Sequence, residues 1–207
     1  IGVATISYTL TDAHGSTSSA VIMVNVSPAP LTITANATNK IYGQTATFAG
    51  TEFTATGLTN GDTVGSVTLT SAGAVNTAVV GSYAIIPSAA VGSGLANYTI
   101  TYATNGLLTV NPATLGITAN STNRLYNTAN PTFTYTPSGF VNGDAASVLS
   151  GLPSLTTTAI LSSPAGTYPI TATNGTLSAT NYVFAFTNGT LTVLGAGYTA
   201  TWTNPAS

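Results

Sequence analysis

A repeat of about 84 residues is the feature that most constrains this chain. Residues 31–42 and 115–126 carry nearly the same sequence, and Tyr42 and Tyr126 stand 84 residues apart. The match continues in order along both copies, through Asp62 and Asp144, Tyr83 and Tyr168, Tyr98 and Tyr182, and Val110 and Val193. Because self-similarity at a fixed period is typical of tandem structural units, the sequence predicts two copies of one module.

Both copies carry the pattern of β-strands. Residues 31–35 alternate apolar side chains with threonine, and residues 98–102 and 182–186 show a similar alternation. A period of two indicates a half-buried strand, and Thr, Val, Ile and Tyr suit a pleated surface. The only predicted helix is one or two turns at residues 145–149, with Asp144 as the N-terminal cap.

An Asn-Gly pair separates two alternating runs near the end of each copy, at residues 105–106 and 188–189. Such a pair is the strongest short signal for a tight turn, so we predict a closing hairpin in each copy. The predicted fold is all-β, with tandem small β-sandwich-like modules and at most a short helical turn in each. A smaller mixed sheet with one helical turn is the alternative topology.

Proline-containing stretches at residues 27–30 and 110–113 predict stiff, extended linkers, since proline blocks helix and cannot donate to a sheet. They divide the chain into four segments. These are a terminal β-hairpin of an incomplete immunoglobulin-like unit at 1–29, a first module at 30–112, a second module at 113–194, and a C-terminal strand or partner-facing tail at 195–207.

The segment before the first module has its own pattern. Residues 3–10 and 18–26 are predicted strands joined by a turn at residues 12–15. Two strands alone are marginal in water, so we expect them to pair with the rest of the chain, a further domain or a neighbouring subunit, as a possible strand donor. The predicted interface residues in the two flanking segments are Tyr8, Ile22, Val24, Tyr198 and Trp202.

Charge is scarce throughout the chain. Only 3% of residues are charged, against roughly 25% in an ordinary soluble domain, and the formal net charge is −2. No basic face exists for phosphates and no Lys/Arg cluster for an anionic membrane, so neither nucleic acid nor a membrane surface is an expected partner. Weak charge repulsion instead favours association with copies of the chain itself or with neighbouring domains.

Enzyme chemistry is not expected, because the required side chains are missing. A Ser/His/Asp triad needs a base, and His14, the single histidine, falls in the predicted turn. Asp62 and Asp144 occupy equivalent places in separate modules and fit turn residues or caps better than a paired-carboxylate or calcium site. We therefore predict no catalytic residues, no metal and no cofactor. The paired tyrosines are interpreted as core or strand-corner residues with their hydroxyls bonded to loops.

No disulfide and no membrane-spanning segment are predicted. The sequence contains no cysteine, which favours a microbial surface protein over a small secreted animal domain. It also contains no run of about 18 apolar residues, so membrane insertion is not expected.

The distributed pattern resembles a known family. The segments Asn123-Arg-Leu-Tyr126, Gly139-Phe-Val-Asn-Gly-Asp144 and Asn181-Tyr182, with their counterparts in the first copy, resemble the MBG repeat of bacterial surface proteins. The resemblance covers residues 31–194, with departures at Gln44 and at Asn127-Thr128 in the loop after the shared tyrosine. Residues 7–15 resemble the final strands of cadherin-like or immunoglobulin-like surface domains.

The resemblance implies extracellular, repetitive, adhesive or architectural work. The leading hypothesis is a non-enzymatic structural repeat segment of a microbial surface adhesin or stalk. The alternative is a subunit of an extracellular filament or sheath assembled by β-strand addition. A third hypothesis is a module that binds carbohydrate or another surface.

Overall fold

The computed structural model of the chain describes residues 1–104 and 106–195. These residues form sixteen β-strands and three short 3-10 turns, with no α-helix among them. The predicted all-β class is therefore confirmed. Contacts divide the chain into two compact units, one of Ile1–Lys40 with Thr45–Val110 and the other of Ile41–Gln44 with Asn111–Ser207.

The first two strands form an isolated hairpin. β1 (Gly2–Thr11) pairs antiparallel with β2 (Thr17–Val26), and the described residues of this sheet include no third strand. In the turn, Asp12 Oδ1 accepts hydrogen bonds from the backbone N–H groups of His14 and Ser16, both at 2.8 Å. These bonds, led by that from Ser16, lower the pKa of Asp12, because they favour its charged form.

The first repeat consists of seven strands in two sheets. One sheet has three strands in the order β5-β3-β8, and the other has four in the order β4-β9-β7-β6. The strands are β3 (Ala29–Ala35), β4 (Thr38–Ile41), β5 (Phe53–Thr56), β6 (Thr63–Thr70), β7 (Gly81–Ser93), β8 (Tyr98–Ala103) and β9 (Gly106–Asn111).

The second repeat follows the same plan. Its sheets have the orders β12-β10-β15 and β11-β16-β14-β13. The strands are β10 (Ala113–Ala119), β11 (Thr122–Leu125), β12 (Tyr135–Ser138), β13 (Ser154–Thr157), β14 (Gly166–Thr173), β15 (Tyr182–Thr187) and β16 (Gly189–Leu194).

The alternating pattern puts one face of each strand into the core. In β3, Leu31 and Ile33 are fully buried, and they pack in one cluster with Val67, Ile85 and Leu108 from the four-stranded sheet. Two sheets that share one apolar core in this way form a sandwich. The second repeat has the equivalent arrangement, because Ala119 of β10 packs with Ile170 and Leu191 of the facing sheet.

The predicted closing hairpins are wrong. β8 and β9 lie in different sheets of the first repeat, and β15 and β16 lie in different sheets of the second. The chain crosses from one sheet to the other where a hairpin would keep it in one. Glycine is needed there because the strand passes close to another backbone: a Cβ on Gly106 would stand 2.3 Å from the carbonyl oxygen of Ala35, and one on Gly189 would stand 2.5 Å from that of Ala119.

Helical structure is limited to single 3-10 turns. One of them, Ala146–Val148, lies within the stretch predicted as a helical turn, but Asp144 does not cap it, since Ala145 is the cap residue and its side chain makes no capping bond. The first repeat has two such turns, Ala72–Ala74 and Leu95–Asn97, where at most one was expected. Strands take up most of the predicted proline linkers, since Ala29 and Pro30 belong to β3 and only Pro112 separates β9 from β10.

Candidate functional site

Two of the paired tyrosines form strand corners. The hydroxyl of Tyr83 donates to the carbonyl oxygen of Val79 at 2.8 Å, and that of Tyr168 donates to the carbonyl oxygen of Pro164 at 3.0 Å. In both repeats the bond returns to the backbone four residues upstream. The interpretation of these residues as corners with a bonded hydroxyl is confirmed, and it gives them a structural role.

A second pair of tyrosines each binds a carboxylate. In the first unit, the Tyr98 hydroxyl donates to Asp62 Oδ2 at 2.9 Å and accepts from the backbone N–H of Thr59 at 2.9 Å. In the second unit, the Tyr182 hydroxyl donates to Asp144 Oδ2 at 2.7 Å and accepts from the N–H of Val141 at 3.1 Å. We call each arrangement an Asp–Tyr pocket, named by its aspartate.

The Asp144 pocket, which lies wholly within the second unit, also holds Tyr42. The Tyr42 hydroxyl donates to Asp144 Oδ2 at 3.1 Å. Its ring meets that of Tyr182 edge to face, with centroids 5.6 Å apart and planes at 82°. This is a preferred geometry for an aromatic pair. Tyr42 is 6% exposed, so almost the whole side chain is buried.

The backbone after Tyr42 fits closely against the same pocket. Gly43 has a φ of 92°, and a Cβ built on it would stand 2.6 Å from a methyl carbon of Val141. Only glycine meets both requirements without strain. The tyrosine and the glycine that follows it therefore act together: the first fills the pocket, and the second permits the close approach.

The Asp144 pocket perturbs one ionisable group. Burial raises the pKa of Tyr182, and the nearby Asp144 carboxylate raises it further. Both effects oppose formation of a second negative charge in the pocket. The Tyr182 proton is thereby retained for its hydrogen bond to Asp144, so the pocket binds through neutral donors around a single carboxylate.

The predicted interface residues of the hairpin share one face. Tyr8 is directly opposite Ala20, and Ile22 and Val24 follow at alternate positions of β2. All twenty residues of the two strands are exposed. The face also carries the exposed side chains of Ile6, Leu10 and Val26. The other two predicted interface residues, Tyr198 and Trp202, lie outside the described residues.

The two basic side chains of the sequence are buried inside the repeats. Lys40 is 5% exposed, and its Nζ donates to the carbonyl oxygen of Val75; desolvation lowers its pKa. Arg124, its counterpart, is 6% exposed and donates to Asn130 Oδ1 and to the carbonyl oxygen of Ile160, each at 2.6 Å. Each cation bonds to oxygens of its own repeat, and neither side chain is exposed on the surface.

The described part of the chain contains no side-chain cluster suited to metal binding. No three His, Cys, Asp or Glu side chains within residues 1–104 and 106–195 lie close enough together to hold a metal ion. His14 is exposed in the hairpin turn. The same residues contain no helix with the length and apolarity to cross a bilayer.

A family comparison agrees with this repeated geometry. The model of the MBG domain, YGX type, matches residues 31–109 and 115–192. The chain belongs to the MBG family. Tyr42, Gly43 and Gln44 supply the Tyr-Gly-X sequence of the first MBG copy, whereas Asn127 stands in place of the glycine in the second. No curated protein matches the chain at a significant level.

Sequence reasoning missed the role of the two aspartates. Asp62 and Asp144 do lie in turns, since their N–H groups bond to the carbonyl oxygens three residues earlier. Their carboxylates, however, bind tyrosines distant in sequence. Asn-Gly-Asp and Asn-Tyr both recur in the two MBG copies. Their joint recurrence was the signal from which a contact between the aspartate and the tyrosine could have been predicted.

Proposed function

We propose that the chain is a non-enzymatic structural segment of an extracellular microbial surface protein, of the adhesin or stalk kind, whose MBG repeats carry tension. The MBG resemblance suggests the extracellular setting, and the scarcity of charge and of catalytic side chains favours architecture over chemistry. One structural observation supports the mechanical part most directly: strands from the beginning and the end of a repeat are paired in parallel.

In the second repeat, β10 pairs with β15 and β11 pairs with β16, both in parallel. The chain enters this repeat at β10 and leaves it at β16. A pull on the two ends slides these parallel partners against each other, so several ladder hydrogen bonds resist at once. Peeling an antiparallel hairpin would break the same bonds one after another.

Single-molecule stretching of the full chain tests this proposal with two matched proline variants. Thr122→Pro alters β11, an edge strand paired with the exit strand β16. Thr136→Pro alters β12, an edge strand of equal length that pairs with β10 on the other sheet. Proline removes a donor from either ladder.

We expect Thr122→Pro to lower the unfolding force of the second repeat well below the wild-type value, and Thr136→Pro to change it much less. Chemical denaturation of both variants controls for a general loss of stability. Equal unfolding forces for the two variants would argue against a role in bearing tension.

The exposed apolar face of the hairpin favours a second candidate, a filament or sheath subunit joined by strand addition. β1 and β2 present Ile6, Tyr8, Ile22 and Val24 to solvent on one face. A contiguous exposed apolar surface commonly marks an interaction site.

Two double variants separate the faces of this hairpin. Ile22→Thr with Val24→Thr removes apolar area from the predicted face, whereas Val21→Thr with Met23→Thr makes the matched change on the opposite face. If strand addition joins the subunits, light scattering should detect polymers of the wild type and the second variant only. Polymers that persist in the first variant would rule out this face as the joint.

A further inference from the structure

The loop at Tyr126 has the same construction as the loop at Tyr42. The N–H of Tyr42 donates to the carbonyl oxygen of Asn111 at 2.8 Å, and the N–H of Tyr126 donates to that of Leu194 at 2.8 Å. In each case the acceptor is the final residue of the last strand of the repeat, β9 or β16. The two tyrosines are thus anchored in equivalent places.

The turns that follow these tyrosines also match. The N–H of Gln44 donates to the carbonyl oxygen of Ile41 at 3.0 Å, and the N–H of Thr128 donates to that of Leu125 at 3.3 Å. The central residues share left-handed backbone conformations, with φ of 92° at Gly43 and 60° at Asn127. Asparagine is among the few non-glycine residues that adopt this conformation readily.

The two rings nevertheless have different surroundings. Tyr42 is 6% exposed and bound in the Asp144 pocket, whereas Tyr126 is 43% exposed. An aromatic ring held out by a rigid, anchored turn is prearranged for insertion, because little further entropy is lost when it binds. The second unit shows the surroundings that such a ring fits, which are a carboxylate and a second tyrosine ring packed edge to face.

The first unit contains a pocket of this kind without an inserted tyrosine among its described lining residues. Beside Tyr98 is a cavity of about 270 Å³ whose wall includes Thr59, Asn97 and the apolar side chains of Ile1 and Val26. Asp62 binds Tyr98 there as Asp144 binds Tyr182. The comparable cavity beside the Asp144 pocket measures about 250 Å³ and has Tyr42 in its wall.

We propose that Tyr126 of one copy of this chain inserts into the Asp62 pocket of a second copy. The Tyr126 hydroxyl donates to the Asp62 carboxylate, and its ring packs edge to face with that of Tyr98 and against the apolar wall. Two different surfaces meet in this contact, so it is heterologous and propagates head to tail. The inference goes beyond the proposed mechanical role. Of the exposed apolar face of the hairpin, it uses only Val26, the last residue of β2.

Two positions that differ between the repeats are consistent with insertion of Tyr126 into the Asp62 pocket. Gly43 faces Val141 in the Asp144 pocket, whereas Asn127 would face Thr59, the counterpart of Val141, in the Asp62 pocket. The Cβ of Asn127 seats the loop farther out than Gly43 does. The carboxamide can then hydrogen-bond the Thr59 hydroxyl, which a valine could not offer.

Sedimentation equilibrium of the full chain tests the contact. We expect concentration-dependent association that Tyr126→Ala weakens about tenfold or more, the effect of losing a central aromatic anchor. Asp62→Asn should weaken it as well, because the charged acceptor is lost. Tyr8→Ala removes a comparably exposed tyrosine from the hairpin, at 44% exposure, and should leave this association unchanged.

Site-specific crosslinking supplies a second readout, which reports the position of the contact. Since the sequence has no cysteine, Thr128→Cys, which keeps Tyr126 in place, can be mixed in one preparation with Asn97→Cys in another. A disulfide-linked heterodimer is expected, and far less product with Thr70→Cys, at the opposite end of β6 from the Asp62 pocket. The proposal would be overturned if the wild type stays monomeric, or if Tyr126→Ala associates as strongly as the wild type. It would also be overturned if only Tyr8→Ala loses association, a result that would favour strand addition.

Discussion

The two repeats have the same strands in the same order, yet they differ at the loop that follows their second strand. In the first, Tyr42 is buried against Asp144; in the second, Tyr126 is exposed on a turn with the same anchoring bonds. Local sequence therefore determines the shape of the loop. Whether the tyrosine ring is buried depends on a pocket formed by residues distant in sequence. The difference separates what a repeat builds alone from what it needs a neighbour to complete.

The comparison requires the cores of the two repeats to be equivalent. Alanine substitutions in these cores test this requirement, and they should cause the largest losses in the free energy of unfolding. Ile33 and Ile117 are both fully buried, in β3 and β10. We expect Ile33→Ala and Ile117→Ala each to lower the free energy of unfolding of its own repeat by about 2–5 kcal/mol. Denaturant titration with hydrogen exchange resolved by repeat provides the measurement. A large cost at only one position would break the equivalence.

Alanine substitution of the two loop tyrosines, Tyr42 and Tyr126, should change the free energy of unfolding by very different amounts. Tyr42→Ala removes a buried ring and a hydrogen bond to Asp144, so we expect a loss of about 3 kcal/mol in the free energy of unfolding. Tyr126→Ala changes an exposed ring and should stay within about 0.5 kcal/mol at low protein concentration. Thermal unfolding of both variants checks this, and similar losses would show that burial of the ring is not the difference.

Exchange of the residues after the tyrosines sharpens the comparison further. Gly43→Asn introduces a Cβ against Val141 at a left-handed position, and we expect a loss of about 2 kcal/mol in the free energy of unfolding. Asn127→Gly should have an effect within about 0.5 kcal/mol. If the clash with Val141 is the cause, adding Val141→Ala to Gly43→Asn should recover part of the loss. An additive double variant would exclude that cause.

The smallest effect concerns the pH dependence of the Asp144 pocket. Tyr182→Phe removes a hydrogen bond to a carboxylate and should lower stability at pH 7 by about 1.5 kcal/mol. Because the folded state raises the pKa of Tyr182, its contribution is complete below the ordinary pKa of 10.0 and is lost as pH rises through the folded value. The gap between wild type and variant should therefore narrow above pH 10, and an unchanged gap would contradict this account.

Much of the fold could be predicted because its causes are local. The alternation of Leu31, Thr32 and Ile33 lies within one strand, and burial follows it directly. The repeat itself also needed no structural information, since equal sequences give equal strands. The Asp12 turn is equally local, because its carboxylate bonds to residues two and four positions away.

What the sequence did not reveal depends on contacts between distant residues. An Asn-Gly pair suits both a tight turn and a crossing between sheets, and only the approach of Gly189 to Ala119 decides for the crossing. Asp144 could cap the following turn as well as bind a tyrosine, and Tyr182, 38 residues away, determines the outcome. For the same reason, nothing in the segment around Tyr126 distinguishes an exposed ring from a buried one.

The burial of Lys40 and Arg124 has a consequence for how proteases cleave the chain. These are its only basic residues, and each lies in a strand with about a twentieth of its surface exposed. Proteases of the trypsin type bind a lysine or arginine side chain in a specificity pocket. In the folded protein neither Lys40 nor Arg124 is accessible to such a pocket. Cleavage at either bond requires the repeat around it to open. When reclosing is faster than cleavage, the rate of digestion by such a protease therefore measures the fraction of each repeat that is open.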